Sequence, residues 1–409
     1  MKQLVLFDEI SKAAVYGVGS YIREIIESLH ERYRIVVVIY YSKEKEFTVK
    51  EKKSHIELHI PPHQLQYTEG KTDQRYYINS VFLIRNYLRQ DEDVIFHFNY
   101  FRYESVVDLL REHFPFCKMV FTIHYFYWCF LIDGNTDYFK EIITKPEGDL
   151  NVFIEKEVSD IYQKEKAFLE KMDHVFCLAE YARNLLLTEY RIPNFKISLL
   201  YNGLKDDGVI FSLEKKEKEK RNLRLPPDSK IILFVGRLDK TKGLDYLISA
   251  FKQLCKKRDD CFLIIAGDGE YNVFLNECEE CRLNIVFTGR LSTDRVYRYY
   301  RIADVGVMLS KHEQCSYVAI EMMMHGLPVI ASDSTGLDEM ITDGINGYKI
   351  RSNYEKETAS FDTDTCCDLL LRALSEKSDN LRLNSRARYE QRYRLEQMKK
   401  GLLTIYDAI

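Results

Sequence analysis

Short runs of hydrophobic residues alternate along this chain with longer stretches in which hydrophobic positions recur every three or four residues. The short runs are nearly continuous in Val, Ile and Leu, as in strands that are covered on both faces of a parallel sheet. The longer stretches have the period of amphipathic helices. This alternation predicts an α/β fold with open parallel sheets wound with helices.

The predicted strands of the first half lie at residues 3–7, 35–39, 94–98, 119–122, 175–178 and 197–200. Helices are predicted between most of them, for example at 20–30, 106–113 and 155–172. The predicted strands of the second half lie at residues 231–235, 262–266, 285–287, 304–308 and 329–331. Helical stretches again separate these strands, and the end of the chain is predicted to be helical.

A dense run of charges separates the two halves, from Glu214 to Arg221, and Pro226 and Pro227 follow it. Such a run is typical of a solvated linker or an exposed helix, with a partner-binding patch as the alternative. We therefore predict a Rossmann-like domain at residues 1–205 and a charged linker at 206–228. A second such domain is predicted at 229–385, with a C-terminal helix at 386–409.

The composition is that of a globular protein: 46% of the 409 residues are hydrophobic and 30% are charged. This excludes a disordered or collagen-like chain. The formal charge is −4, so the chain has no overall excess of basic residues and no nucleic-acid partner is expected. No stretch reaches the ~18 apolar residues of a membrane-spanning helix, and the N-terminal apolar run is too short for a signal peptide. The ten cysteines are therefore expected to be free thiols in the cytoplasm.

Two motifs match sequence patterns that are known from metal-binding sites. Cys278 and Cys281 form a CxxC motif, but no second pair or histidine is spaced to complete a zinc site, so a plain helix is favoured. Asp362 and Asp364 form a DxD motif, but a helical run follows and no strand leads into it. A helix cap is therefore predicted at Asp362, and no catalytic metal is expected.

Candidate binding residues follow the predicted strands, and ligands of open α/β sheets bind beyond the carboxyl ends of the strands. Gly17 and Gly19 lie at a helix start after the first strand, where bare N–H groups and the helix dipole favour an anion. The two glycines could indicate either a phosphate-binding site or an ordinary loop with a helix cap. Ile22 occupies the place of the third glycine, which excludes a dinucleotide fingerprint.

Four charged residues of the second half form a second set of candidates. Arg237 directly follows a buried strand, and Lys242 comes five residues later at the next helix start. A planar guanidinium and a mobile ammonium suit a diphosphate, although this pair alone could be two solvated cations. Glu313 falls in the loop after a strand, and Glu321 lies in an apolar helix. A carboxylate in that helix needs hydrogen-bond donors, such as ribose or sugar hydroxyls.

From Val235 to about Tyr348 the chain resembles the donor-binding domain of family 4 glycosyltransferases, which are retaining enzymes of the GT-B fold. The resemblance rests on motifs in the family's order: Gly236-Arg237 with Lys242-Gly243, Ala266-Gly-Asp-Gly269, Phe287-Thr-Gly289, Ala303-Asp304 leading to Ser310, Glu313 with Glu321, Gly326-Leu-Pro328-Val329, Gly336 with Glu339, and Asp343-Gly-Ile-Asn-Gly347. The first domain is similar to the family more loosely, through Gly17, Gly19 and His124.

The resemblance implies an acceptor-side first domain that faces a nucleotide-sugar donor-binding second domain across a cleft, with the C-terminal helix crossing back to the first domain. It also implies retaining transfer of a sugar to a hydroxyl acceptor, in glycan or cell-surface polysaccharide biosynthesis. The donor would be a co-substrate of the UDP or GDP type, and no cofactor is implied. The acceptor would be a sugar, a lipid-linked group or a peptide, and peripheral contact with the inner face of the membrane stays open.

The family's roles carry over by position. Arg237 and Lys242 would bind the diphosphate, and Glu321 would bind the ribose. The catalytic residues would be Glu313 and His124, which face the transferred sugar. The remaining donor-binding positions are Gly17 and Gly19 near the phosphates, Ser316 after the first glutamate, and Gly289, Arg290 and Leu291 near the nucleobase.

Two departures from the family pattern bear on loop geometry and sugar preference. Gln314, followed by Cys315, stands where the family usually has a glycine, and the paired glycines of the first loop are separated by Val18. Other interpretations remain open: His124 and His97 as buried hydrogen-bonding residues, and the aromatic run 125–130 as core packing, an acceptor groove or a membrane contact. The alternatives to a transferase are a nucleotide-sugar epimerase and a donor-binding scaffold without turnover.

Overall fold

The structure is a computed structural model that describes residues 2–10, 17–62, 71–89, 92–150, 152–375 and 379–409. The chain divides into two units. The first unit comprises residues 1–126, 145–203 and 395–409, and the second comprises residues 127–144 and 204–394.

The strands of the described residues, in chain order, are β1 (Gln3–Glu9), β2 (Arg34–Tyr40), β3 (Thr48–Glu51), β4 (Ile56–His59), β5 (Val94–Phe98), β6 (Lys118–Ile123), β7 (His174–Cys177), β8 (Ile197–Leu199), β9 (Lys230–Val235), β10 (Cys261–Ala266), β11 (Ile285–Gly289), β12 (Val305–Met308), β13 (Val329–Ser332), β14 (Gly347–Ile350), β15 (Ser352–Glu355) and β16 (Thr358–Phe361).

The α-helices of the described residues are α1 (Val18–Leu29), α2 (Lys71–Ile84), α3 (Glu104–His113), α4 (Thr136–Thr144), α5 (Phe153–Glu170), α6 (Glu180–Thr188), α7 (Leu213–Asn222), α8 (Leu244–Lys257), α9 (Tyr271–Glu277), α10 (Thr293–Ile302), α11 (Tyr317–Met324), α12 (Leu337–Met340), α13 (Thr363–Ala373), α14 (Asp379–Arg392) and α15 (Leu395–Ala408). Short 3-10 turns lie at Arg85–Tyr87, Tyr127–Phe130, Glu147–Asp149, Asn194–Lys196, Lys240–Lys242 and Glu279–Asn284.

Each unit is built on its own sheet. The sheet of the first unit has the order β3-β4-β2-β1-β5-β6-β7-β8 and is parallel apart from the antiparallel pair β3–β4. The main sheet of the second unit is parallel throughout and has the order β11-β10-β9-β12-β13-β14. In the sequence of its own strands this is the order 3-2-1-4-5-6 of a Rossmann fold. The predicted α/β fold with two parallel sheets is confirmed.

Several strands of the structure are absent from the sequence-based prediction. The edge pair β3–β4 and the hairpin β15–β16 are short, and most of their residues are exposed or half-buried. Neither has the continuous apolar run by which the central strands were predicted. β14 likewise forms the edge of its sheet and carries a lysine within four residues.

The charged run around residue 216 is not a separate linker, because it belongs to the second unit and forms α7. Lys216 and Lys220 are buried, and Nζ of Lys216 lies 3.1 Å from Oδ1 of Asp304. Burial lowers the pKa of Lys216 to about 8, and the charge and hydrogen bond of Asp304 oppose this effect only in part. Burial alone would raise the pKa of Asp304, but the two ammonium groups hold it below its usual value. Buried charges therefore hold α7 in place, and the charged sequence of the helix does not indicate that they are buried.

The C-terminal region consists of two helices where one was predicted at 386–409. α14 belongs to the second unit and α15 to the first, with the boundary between Arg394 and Leu395. The chain is held at this point by a hydrogen bond from Leu204 N to the carbonyl of Tyr393. The last helix, α15, has a buried apolar face formed by Leu395, Met398, Leu402 and Tyr406. A further difference is that residues 127–144, predicted within the first domain, belong to the second unit.

His97 is fully buried within the first unit. Its Nδ1 lies 2.5 Å from the hydroxyl of Tyr406, and its Nε2 lies 2.7 Å from Oγ1 of Thr122. Burial lowers the pKa of His97 to about 3, so the ring is neutral near pH 7. His97 therefore ties α15 to the sheet, as expected of a buried hydrogen-bonding residue.

Replacement of the buried hydroxyl that His97 contacts should destabilise the first unit. Tyr406→Phe leaves a ring nitrogen of His97 without that partner and should lower the free energy of unfolding by ~1–3 kcal/mol. Urea unfolding measures the loss. Thr404→Ala, on the exposed side of the same helix, should shift the stability by no more than about 0.5 kcal/mol. Equal effects of the two substitutions would show that the buried hydrogen bond is unimportant.

Candidate functional site

The order of the second sheet reverses between β9 and β12, the strands that are first and fourth in its own sequence. Ligands of open α/β sheets bind in the crevice beyond the carboxyl ends of the strands at such a reversal. The loop after β9 carries Arg237 and Lys242, and the loop after β12 carries Glu313. The structure therefore brings two predicted donor-binding side chains and one predicted catalytic side chain to one edge of one sheet.

Lys242 and Glu313 are in direct contact. The ammonium of Lys242 forms a hydrogen-bonded ion pair with Oε1 of Glu313, which also accepts a hydrogen bond from Oγ of Ser310 at 3.1 Å. The two charged side chains are 22% and 18% exposed, so the pair is largely shielded yet reachable. Burial alone would raise the pKa of Glu313, but Lys242 outweighs burial and holds it below its usual value. Glu313 is therefore ionised at neutral pH.

The loop that carries Lys242 has little conformational freedom. Gly243 follows it with a φ of +64°, and a Cβ at this position would lie 2.2 Å from the carbonyl oxygen of Leu309. Both the backbone angle and this close approach require glycine. Oδ1 of Asp239 accepts a hydrogen bond from the amide of Thr241 at 3.0 Å, and its Oδ2 lies 3.2 Å from Nε of Arg237. Asp239 thus orders the turn and orients the guanidinium.

The loop of Glu313 is fixed by the loop that follows the neighbouring strand β13. The amide of Glu313 donates to Oγ1 of Thr335 at 2.8 Å, and the carbonyl of Glu313 accepts from the amide of Gly336 at 2.8 Å. A Cβ on Gly336 would lie 1.7 Å from the carbonyl oxygen of Gln314, so only glycine fits. Gln314, which departs from the family pattern, is itself buried.

Glu321 lies in α11 and is half-buried, as its apolar neighbours predict. Its Oε2 accepts a hydrogen bond from the hydroxyl of Tyr300 at 2.7 Å. Tyr300 is fully buried, and burial followed by the charge of Glu321 raises its pKa well above the usual value. Tyr300 thus supplies a donor that sequence analysis missed, because it comes from another helix. Ser316 is the N-cap of α11, where its hydroxyl accepts from the amide of Ala319 at 3.4 Å.

Gly289 ends the edge strand β11 with a φ of +71°, and its carbonyl accepts from the amide of Gly267 at 3.1 Å. The hydroxyl of Tyr271 donates to the carbonyl of Gly267 at 2.7 Å. Arg290 is exposed and Leu291 is half-buried. These residues share the carboxyl edge of the sheet with Arg237, two strands away from β9. Their predicted contact with a nucleobase stays a prediction.

The predicted residues of the first unit also follow strands or begin a helix. Gly17 is the N-cap of α1 and has no side chain that could accept a capping hydrogen bond. Gly19 lies within the first turn of α1. His124 follows β6, and its Nε2 lies 3.0 Å from Oδ1 of Asn99. Burial lowers the pKa of His124 to about 3, so the ring is neutral at pH 7. The side chain of His124 is half-buried and hydrogen-bonds to Asn99, and its catalytic role stays a prediction.

Asp8 is a candidate that the sequence did not single out. It follows the core of β1, and its Oδ1 accepts hydrogen bonds from the amide of Glu9 at 2.8 Å and the hydroxyl of Tyr100 at 3.2 Å. Burial, opposed by these hydrogen bonds, raises the pKa of Asp8 to about 6. Perturbed carboxyl groups at strand ends are frequent in functional sites. The signal available in the sequence was its place directly after an apolar run.

The two metal-like motifs have other roles. Oδ2 of Asp362 accepts from the amide of Thr365 at 2.9 Å, which confirms the predicted helix cap. Cys278 and Cys281 are buried in the core of the second unit. In the part of the chain that the structure describes, no group of three His, Cys, Asp or Glu is arranged to hold a metal ion. Across the same residues, every helix is too short or too polar to cross a membrane.

Comparison with known proteins identifies the class. Residues 215–362 match the family described as Glycosyl transferases group 1, and residues 15–207 match Glycosyltransferase Family 4. The chain therefore belongs to the group 1 glycosyltransferases, and the predicted resemblance is confirmed.

Two curated relatives share part of the sequence. An uncharacterised glycosyltransferase of Methanocaldococcus jannaschii is 36% identical over 163 residues, which cover 39% of this chain and 42% of the relative. Lipopolysaccharide 1,2-N-acetylglucosaminetransferase of Salmonella typhimurium is 28% identical over 200 residues, covering 46% and 50%. The chain spans about half the length of the curated relatives it matches.

A solved structure matches the whole fold. Alr3699/HepE of Anabaena, crystallised with UDP and glucose, has a TM-score of 0.72 and 14% identity, and the match covers 100% of both chains. At this identity the likeness shows the fold alone. Together with the two parallel-sheet units, it confirms the predicted GT-B class.

The ion pair at the sheet edge should make stability depend on pH. The pKa of Glu313 is lowered from 4.5 in the folded state, so its stabilising charge is present above that pH and is lost as the pH falls through the folded pKa. The stability difference between wild type and Glu313→Gln should stay constant at pH values well above 4.5 and should narrow as the pH falls below that value. Urea unfolding at several pH values measures it.

The control for this experiment is Glu355→Gln, at an exposed glutamate of β15. Its stability difference from wild type should be small and should change little over the same pH range. A difference for Glu313→Gln that stays constant on acidification would contradict the lowered pKa.

Proposed function

We propose that this protein is a retaining glycosyltransferase that moves a sugar from a nucleoside-diphosphate sugar to a hydroxyl group. The observation that carries the proposal is the contact between Lys242 and Glu313 at the strand-order reversal, with Arg237 in the same loop as Lys242. Cations for a diphosphate and a carboxylate for sugar hydroxyls are the complementary groups that such a donor requires. Membership of the glycosyltransferase family supports the same reaction.

The donor is proposed to be of the UDP type, with GDP as the alternative. The fold's likeness to Anabaena Alr3699/HepE, whose structure contains UDP and glucose, supports this choice. Glu321 would accept hydrogen bonds from the ribose. Tyr300 donates to one oxygen of Glu321 and so orients the carboxylate, which can accept several hydrogen bonds at once.

Arg237 and Lys242 would stabilise the charge that develops on the departing diphosphate. Preorganised cations lower the barrier because they act where charge appears in the transition state. Asp239 orients the guanidinium of Arg237, and Gly243 fixes the turn after Lys242, so both cations are held before the reaction begins. Glu313 also keeps Lys242 at the sheet edge, since the two charges attract.

The proposed chemistry takes place on one face of the sugar. The bond from the anomeric carbon to the diphosphate oxygen breaks, and the acceptor oxygen bonds to the same face of that carbon. The acceptor proton passes to the departing phosphate oxygen, so no protein nucleophile or metal ion is required. Glu313 would hold the sugar hydroxyls as the ring acquires positive charge. The roles implied for Gly17, Gly19 and His124 remain predictions from the resemblance.

The acceptor is proposed to be a hydroxyl group in glycan or cell-surface polysaccharide biosynthesis. Similarity to a lipopolysaccharide N-acetylglucosaminyltransferase of Salmonella typhimurium supports this setting. The acceptor would be a sugar, a lipid-linked group or a peptide, and the enzyme would work in the cytoplasm or at the inner face of the membrane. Transfer from a donor to each acceptor class, analysed for product and anomeric configuration, tests this part of the proposal.

A panel of nucleoside diphosphates, read by thermal shift, tests the donor class. A ligand at 100 times its Kd stabilises the folded state by about 2.7 kcal/mol, which raises the melting temperature measurably. UDP is expected to stabilise the protein more than GDP, ADP or CDP does. Lys242→Met should reduce the shift produced by UDP, because it removes one of the two cations. Stabilisation by none of the diphosphates would contradict a nucleotide donor.

The two glutamates should affect different steps. Glu321→Gln should weaken UDP binding by ~1–3 kcal/mol, the cost of disturbing a hydrogen bond to a charged group. Glu313→Gln should leave UDP affinity unchanged or tighter, since it removes a negative charge beside Lys242. It should lower kcat by about two orders of magnitude, as expected for loss of a contact made in the transition state. Calorimetry with UDP and steady-state transfer rates measure both effects.

The matched control is Glu280→Gln, because that side chain is exposed away from the sheet edge. Both UDP affinity and kcat should be those of wild type in this variant. The opposite division, with UDP affinity lost in Glu313→Gln and only kcat lost in Glu321→Gln, would reverse the assigned roles. Unchanged behaviour of both variants would remove the sheet edge of the second unit as the donor site.

A further inference from the structure

Residues 127–144 are the one stretch before residue 204 that belongs to the second unit. The stretch contains a 3-10 turn at Tyr127–Phe130 and the helix α4. The indole of Trp128 is buried and stacks on the ring of Phe139, with centroids 4.1 Å apart and planes 9° apart. This packing makes the stretch a compact hairpin, and residues 133–135 form its tip.

The tip carries a shielded ion pair. Oδ2 of Asp133 accepts hydrogen bonds from Nζ of Lys311 at 2.6 Å and from the amide of Ala359 at 3.0 Å. The side chains of Asp133 and Lys311 are only 15% and 14% exposed. A largely buried ammonium that loses its carboxylate is costly, so Lys311 depends on Asp133 for its position.

The contact continues along the chain to the next residue. Gly134 has a φ of +75°, and a Cβ there would lie 3.0 Å from Cβ of His312 and 3.1 Å from the carbonyl oxygen of Lys311. The ring of Phe130 meets the ring of His312 edge-on, with centroids 4.6 Å apart. The hairpin therefore contacts Lys311 and His312, the two residues that directly precede Glu313.

Lys311 is also held by the loop that carries Lys242. The amide of Lys311 donates to the carbonyl of Thr241 at 2.9 Å. Nε2 of His312 is buried, and no residue in the described ranges forms a hydrogen bond with it. Packing against Phe130 and Gly134 therefore decides where His312 lies. A shift of either residue would be passed directly to the backbone of Glu313.

We infer that Asp133 is a positioning residue for Glu313, and that the hairpin 127–144 fixes the carboxylate which is to hold the transferred sugar. The inference rests on the proposed function for its catalytic consequence but not for the contact itself. A displacement of about 1 Å at a reacting group can cost on the order of 100-fold in rate. The hairpin contacts the two residues that directly precede Glu313, so we expect the sugar step to depend on it more than nucleotide binding does.

The decisive variant is Asp133→Asn, which removes the charge and keeps the shape. It should lower kcat by about tenfold or more while the Kd for UDP stays within about twofold. Asp133→Glu should recover part of the rate, because it restores the charge to Lys311. Lys311→Met should have a similar effect, and the double variant should be no worse than the more severe single one. Asp137→Asn, an exposed aspartate in the same hairpin, is the matched control and should behave as wild type.

Hydrogen exchange gives a second measurement that does not depend on turnover. The amides of residues 309–316 should exchange faster in Asp133→Asn than in wild type, whereas those of β9 should not change. Unchanged exchange together with wild-type kcat would overturn the inference. Loss of kcat and UDP affinity in equal proportion would also overturn it, since that is the result of general destabilisation. Faster exchange in a protein whose wild type transfers no sugar would support the positioning contact and contradict the proposed function.

Discussion

The reversal of strand order between β9 and β12 is the constraint on which the candidate site depends. Because these two strands are neighbours, the loops that follow them meet, although Lys242 and Glu313 are 71 residues apart in the chain. The cation proposed to bind a diphosphate and the carboxylate proposed to hold the sugar therefore lie in contact at one edge of the sheet. An ordering of the strands by sequence alone would have separated the two loops by the width of two strands.

The ion pair at this place has opposing effects. The pair offsets the free-energy cost of burying the charge of Glu313 and keeps that residue ionised. It also neutralises Lys242, the cation proposed to bind the donor. A donor phosphate would compete with Glu313 for Lys242, so binding exchanges one charged partner for another. Such an exchange costs less than burying an unpaired charge, because the ammonium always has a partner.

Buried polar contacts also join segments that lie far apart in the sequence. Lys216 joins α7 to Asp304, Tyr406 joins α15 to His97, and Asp133 joins the hairpin to Lys311. Each contact bridges residues far apart in sequence and satisfies a group that would otherwise be costly to bury. The two units are not continuous stretches of the chain, and segments predicted as linker or first domain belong to the second unit.

The sequence by itself determined the α/β class, the strands with continuous apolar runs and the motifs after them. Buried strands and strand-end loops leave local patterns, and Arg237, Lys242 and Glu313 each followed such a strand. The sequence could not show that Lys242 contacts Glu313, that Tyr300 donates to Glu321, or that Asp133 reaches Lys311 across 178 residues. Only the tertiary structure decided these pairings, because they depend on which strands and helices become neighbours, and local patterns of hydrophobicity do not encode that choice.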